Sequence, residues 1–333
     1  MYELLGICLV LTALLAVNSL GSLLFTALWR TCDRPLRNLS AHSRAEILFC
    51  IRAIPSLLAL IFVGLLVIPA YVGYEPYVTS EIVSTKLATL ALISAAGVVF
   101  ALWRAYRSWF ATRSLLRAWL RNAERIRLND ITIPTFRIEH SFPIIAVVGS
   151  IRPRLFVAGN VLEALSPEEL AAAIAHERGH LIARDNLKRS ILRACRDVLM
   201  LAPFGRSLDR AWAQAAEAAA DEHAARENPD RALNLASALV TIAKMVPVKE
   251  RAEVPLGAYL IGVEETQGVK ARIRRLLDIA SHGIDNRDHQ SLIRAAQVIS
   301  LLGFLLFATA AAANPKVLIG VHELIERTVS LLC

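Results

Sequence analysis

Cysteine is scarce in this 333-residue sequence, present only as Cys8, Cys32, Cys50, Cys195 and Cys333. The number is odd, no two fall in a C-x-x-C pair, and Cys8 lies inside an apolar stretch. A disulfide framework and a thiolate metal site are thereby disfavoured. Charge is thin as well, at 20% of residues, where soluble domains carry about 25%. A basic n-region is also lacking; the only early charge is Glu3, which argues against a cleavable signal peptide. No internal repeat occurs, and the Ala-rich stretches Ala211–Ala225 and Ala308–Ala313 read as helix. What fills the space is apolar: 55% hydrophobic residues and a mean hydropathy of +0.47, above the roughly 45–50% of ordinary domains. This balance describes a bundle of membrane helices plus one soluble domain.

Four stretches reach the length of about 20 residues that a span needs. They run from about Leu4 to Trp29, Ala53 to Gly73, Ile82 to Trp103 and Leu292 to Ala313. The connecting segments differ in sign. Arg30, Arg34, Arg37, Arg44 and Arg52 fall between the first two spans, against Asp33 and Glu46. Glu75, Glu81 and a single Lys86 fall between the second and third. Arg104, Arg107, Arg113, Arg117, Arg121, Arg125 and Arg127 follow the third, against Glu124. Basic residues collect on the cytoplasmic side. The N-terminus, the Tyr74–Glu81 loop and a short tail over 314–333 are therefore expected outside, and the soluble block 104–291 inside. The net charge of +8 is then juxtamembrane, facing lipid headgroups rather than nucleic acid. Trp103, Tyr106, Trp109 and Phe110 form an interfacial belt.

Within the soluble block, His176-Glu177-Arg178-Gly179-His180 is an H-E-x-x-H pattern. Ser166-Pro167-Glu168-Glu169 reads as a capping box that starts a helix, and no proline interrupts before Pro203. On a helix, positions i and i+4 share a face, so His176 and His180 can offer two imidazoles to one ion. Zinc suits such a pair with a carboxylate and an open position for water. Glu177 can then serve as general base. The downstream acid is Glu217, on a second Ala-rich helix with Asp221 one turn on; Asp221 can hold a ligand ring through its other nitrogen. A helical hairpin turning near Pro203-Phe204-Gly205 would bring the helices together. Asp185 is either a similar support or an ion-pair partner of a nearby Arg or Lys. Phe142–Ala158 reads as two short strands, a substrate-binding edge or a structural hairpin. His322-Glu323 lacks a second histidine and reads as incidental.

Together, Val148–Val157, Leu165-Ser-Pro-Glu-Glu-Leu170, His176–His180 with Arg184-Asp185, Glu217-x-x-x-Asp221 and Arg272-Ile273-x-x-Leu276 resemble the integral-membrane gluzincins. The likeness is nearest to the BlaR/MecR-type antirepressor peptidases, with the HtpX-type membrane proteases as near relatives. It implies a mainly α fold: four transmembrane helices and a cytoplasmic zincin-like (gluzincin) metallopeptidase domain with a small β hairpin or sheet. It also implies Zn2+ held by His176, His180 and Glu217, with Glu177 as base and Asp221 and Asp185 behind the ligands. The implied partners are the bilayer, a protein substrate (a cytoplasmic repressor or a membrane protein) and a signalling partner. Unlike the sensor-transducers, only about twenty residues follow the last expected span, so a β-lactam receptor role is not expected. Two other readings compete. A non-catalytic membrane scaffold is disfavoured by the intact Glu177. A transporter is disfavoured because the spans lack intramembrane charge pairs.

Overall fold

The computed structural model describes residues 2–76, 83–128, 133–149, 151–198, 205–226, 228–246, 266–283 and 290–332. Three long helices open the chain. Helix α1 spans Tyr2–Leu36. Helix α2 (Ala41–Phe62), capped by Ser40 on the Ser43 amide, runs through a π turn at Val63–Val67 into α3 (Ile68–Tyr74). The π turn directly precedes Pro69, which has no N–H to return to a carbonyl four residues back. Helix α4, Thr85–Arg121, is capped by Ser84 on the Leu87 amide. Tyr2–Thr31, Ala41–Tyr74 and Thr85–Arg121 are each long and apolar enough to cross a membrane. Helix α4 also carries the expected third span and the start of the soluble block in one unbroken rod.

The C-terminal region has one helix over the expected fourth span and a second helix over the expected short tail. Helix α11 covers Gln290–Ala312 and α12 covers Pro315–Leu332. Among the described residues, Leu302–Ala312 and Pro315–Ser330 are together long and apolar enough to cross a membrane, with a bend of 83° between them. The bend falls at Asn314-Pro315, where the residue before a proline avoids the helical region. Ile325 and Val329 of α12 are buried with Leu5, Leu9, Val63, Val67, Tyr71 and Leu87. Those two share one helical face with Val321, which packs against the same cluster.

Among the described residues between α4 and α11 lie four strands and six helices. Strands β1 (Glu124–Ile126), β2 (Thr135–Ile138), β3 (Ile145–Val148) and β4 (Arg154–Ala158) form a mixed sheet in the order β1-β2-β4-β3. The β2–β4 pair is parallel and the other two are antiparallel. The helices are α5 (Gly159–Ala164), α6 (Pro167–Ala183), α7 (Asp185–Val198), α8 (Arg206–Ala225), α9 (Pro229–Met245) and α10 (Thr266–His282). The core joins Ile144 and the sheet residues Ile145, Leu155 and Phe156 to Ala172 and Ala173 of α6, Leu235 and Leu239 of α9 and Leu276 of α10. Each loses its apolar surface to the others, the main favourable contribution to folding. A second cluster, Ala45 and Leu48 with Leu192, Leu208 and Trp212, fastens the start of α2 to α7 and α8. Arg52, expected as a loop charge, is instead buried and paired with Asp209 at 3.2 Å. Lys188 likewise meets Glu46.

Candidate metal centre

Helix α6 begins as its sequence predicts: Ser166 Oγ accepts from the Glu169 amide and Glu169 Oε2 accepts from the Ser166 amide. It ends at Arg184, the one non-glycine residue among those described with a positive φ, at 54°. The sequence read as continuous helix here, and the left-handed residue breaks it. In an unbroken helix His180 and Asp185 would point about 140° apart, at 100° per residue. The break starts α7 at Asp185 and turns its carboxylate back, 2.7 Å from His180 Nδ1. Asp185 is therefore the support behind a ring rather than the partner of a cation. The expected hairpin is likewise not direct, since α7 intervenes between α6 and α8. Gly205 precedes α8 with φ 105°, while Pro203 and Phe204 lie outside the described residues.

Helices α6 and α8 approach closely at Gly179. A Cβ there would lie 3.0 Å from Ala220 Cα and 3.2 Å from His223 Cβ. Absence of a side chain lets the two helices meet. Glu217 Oε2 comes 3.6 Å from His176 Nε2, and Glu217 Oε1 lies 3.5 Å from His180 Nε2. The two rings are perpendicular, with centroids 4.8 Å apart. His176 Nδ1 is held by Asp221 Oδ1 at 2.9 Å. Both rings thus turn Nδ1 to a carboxylate and Nε2 toward Glu217. The separations at the Nε2 atoms are long for hydrogen bonds. A tetrahedral ion with bonds of about 2.0–2.2 Å separates its donors by about 3.4 Å, close to what is seen.

Arg272 of α10 completes the surroundings. It bonds Asp221 through Nη2 at 2.6 Å and Nε at 3.1 Å, and its Nη1 lies 3.1 Å from Glu217 Oε2. Burial opposes the charge of Asp221, but Arg272 and His176 outweigh it and hold the carboxyl below its ordinary range. Glu217 is also disfavoured by burial, yet His180 and Arg272 drive it well below the usual carboxylate value. His180 shows the converse. Burial would lower it, but Glu217 and Asp185 raise it to about 10. In the metal-free protein the surrounding carboxylates therefore favour the charged form of His180. Glu217 Oε2 is buried without an aligned hydrogen bond. A half-buried carboxylate and two Nε2 atoms turned on one gap, at separations too long for hydrogen bonds, together fit a divalent cation.

Glu177 sits beside this group, 5% exposed. Burial raises its proton affinity against the pull of His180 and His176. Its Oε2 accepts from the Val147 amide of β3 at 3.2 Å, and Asn186 Nδ2 donates to the Val147 carbonyl at 2.9 Å. Strand β3 is an edge of the sheet, and the outward polar groups of Val147 are taken by these two side chains. Glu222 and His223 turn away from Glu217, with Glu222 paired to Arg275. Arg272 belongs to a sequence motif whose spacing assigns it no role, and Asn186 carries no sequence signal of its contact with Val147.

Two imidazoles, an acid from a second helix and a buried carboxylate beside them make up the donor set of a metal-dependent hydrolase. The comparison with known families agrees: residues 147–252 match the model of peptidase family M48. That range holds His176, Glu177, His180, Glu217 and Asp221. This stretch is thus similar to the M48 metallopeptidases, and it sits in a mostly helical structure with three helices among the described residues apolar enough to span a bilayer. No curated protein matches the chain.

Proposed function

We propose that the protein is a membrane-anchored zinc endopeptidase that cuts protein substrates at the cytoplasmic face of the bilayer. The observation that carries this reading is the shared gap between His176 Nε2, His180 Nε2 and Glu217, with both Nδ1 atoms already committed to Asp221 and Asp185. His176, His180 and Glu217 are the residues that would hold the metal. When bound, zinc acidifies a water and polarises a peptide carbonyl. Glu177 takes the proton from the attacking water on its carboxylate and delivers it to the nitrogen of the leaving amine. Its buried setting favours the uptake. Asp221 and Asp185 keep each ring in the tautomer that leaves Nε2 unprotonated. Arg272 holds Glu217 and Asp221 in place. A substrate strand adding to β3 would compete with Glu177 and Asn186 for Val147.

The concentration of arginine along the second half of α4, and from the end of α1 into the start of α2, supports cytoplasmic placement of the domain. The substrate reading has two forms. Selective cleavage of a repressor follows the BlaR/MecR resemblance, and broad removal of membrane proteins follows the HtpX resemblance. Expression of the parent and of Glu177→Gln in the same cells, with quantitative proteomics, tests both. The endopeptidase reading expects proteins that accumulate only with the variant; one or two soluble proteins mark regulation, many membrane proteins mark quality control. Equal proteomes, with purified parent and variant cleaving a casein probe alike, would contradict it.

A further inference from the structure

A second group of donors lies at the other end of the helical bundle. Helices α2 and α3 together run from Ala41 to Tyr74, 34 residues, or about 50 Å at 1.5 Å per residue. The first end packs on α7 and on α8, the helix that carries Glu217. The far end carries Glu75, whose amide caps α3 on the Tyr71 carbonyl at 3.0 Å. There Glu75 Oε2 lies 3.8 Å from His322 Nδ1, and His322 Nε2 lies 3.9 Å from Glu326 Oε1. Each of the three residues offers a donor atom within 4.8 Å of the other two.

Three features make this more than a surface pair. His322 and Glu326 are i and i+4 on the same face of α12 as Ile325 and Val329, the face that packs onto the bundle. The Glu75 side chain is 3% exposed, so its carboxylate has been taken out of water. His322 Nδ1 is buried and has no hydrogen-bond partner. A buried acceptor or donor without a partner costs about 1–3 kcal/mol, and separations of 3.8 and 3.9 Å are too long for hydrogen bonds.

We propose that Glu75, His322 and Glu326 form a second metal site, which takes a divalent ion of the zinc class and pins α12 to α3. The chemistry of the donors selects the ion. One neutral imidazole with two carboxylates cancels a double positive charge, which favours the complex where solvation is poor. Imidazole disfavours Mg2+ and Ca2+, which prefer oxygen ligands and more of them. Glu326, 43% exposed, leaves the ion a route from solvent. The inference stands apart from the peptidase reading, since it uses none of the same residues.

The test is zinc binding by equilibrium dialysis on the full chain in detergent, after stripping with a chelator. The parent is expected to hold about two ions per chain, and His176→Ala/His180→Ala about one. Glu326→Gln is expected to hold about one, and Glu326→Gln combined with the two alanines none. Zinc should also slow hydrogen exchange across Pro315–Leu332 in the parent and in the double-alanine variant, but not in Glu326→Gln. Parent stoichiometry and parent protection in Glu326→Gln would overturn the site. His322→Gln is the second lesion, expected to match Glu326→Gln in both readouts; parent-like binding in it overturns the proposal equally.

Discussion

Each end of the bundle gathers a histidine, an i+4 partner on the same helix and a carboxylate from another helix, but the two groups are supported differently. At the His176 centre, both rings are anchored through Nδ1, and Arg272 braces the acids from a third helix. The donor separations are 3.5 and 3.6 Å. At the His322 group the separations widen to 3.8 and 3.9 Å. Among the described residues the His322 ring has only Glu75, Glu326 and the Tyr74 ring in ion-pair or ring contact. Such support fixes ring orientation before an ion arrives and strengthens binding by about 10–100-fold. The braced site is therefore the one organised for chemistry, while the looser one is suited to holding helices together.

The largest effect that sharpens this contrast comes from Glu177→Gln. Hydrolysis by the purified protein should fall by about 10²–10⁴-fold, the usual contribution of a general base, with zinc content unchanged. Glu326→Gln should leave hydrolysis of a soluble peptide near the parent rate. Next comes stability. Arg272→Gln strands Asp221 as a buried charge and should cost about 3–5 kcal/mol in chemical denaturation, whereas Glu326→Gln in the zinc-free protein should change stability by less than about 0.5 kcal/mol. Asp221→Asn removes the support of His176 and should weaken zinc binding by about 10–100-fold in a competition titration.

How much of this was legible in the sequence depended on distance along the chain. The capping box at Ser166, the i, i+4 pair His176 and His180, and the pair Glu217 and Asp221 all follow from one helical period. Their mutual placement follows from chemistry, because only a convergent arrangement gives the pattern a use. The break at Arg184 was not legible, since a lone left-handed arginine has no residue-type signature, unlike glycine or asparagine. That break decides where Asp185 points. Arg272 reaches Asp221 from 51 residues away, beyond any helical period. The apolar stripe of α12 was present as Val321, Ile325 and Val329 but was read as a tail, because hydropathy windows weigh composition before periodicity. His322 consequently looked isolated, although its partner Glu75 lies on a different helix.

Smaller effects probe the close packing and the charge of the braced site. Gly179→Ala gains about 1 kcal/mol of helix propensity, but forces a Cβ against the Ala220 backbone. Overpacking typically costs about 1–3 kcal/mol, so a net loss of about 1 kcal/mol is expected, with weaker zinc binding as α8 is pushed away. Acidity gives the mildest test. His180 in the metal-free protein is raised from 6.5 to about 10, so its charged form stabilises the fold fully below pH 6.5, and that stabilisation is lost as pH rises through about 10. Zinc must displace this proton, so zinc affinity measured by competition should rise with pH across the same interval. Asp185→Asn should flatten that rise.

The most direct measurement is an anomalous difference map collected at the zinc absorption edge from crystals of the zinc-loaded full chain. The account predicts a peak bonded to His176 Nε2, His180 Nε2 and a Glu217 oxygen at about 2.0–2.2 Å. A zinc-loaded protein with no peak between those three side chains, or with Glu217 turned away from the metal, would contradict it.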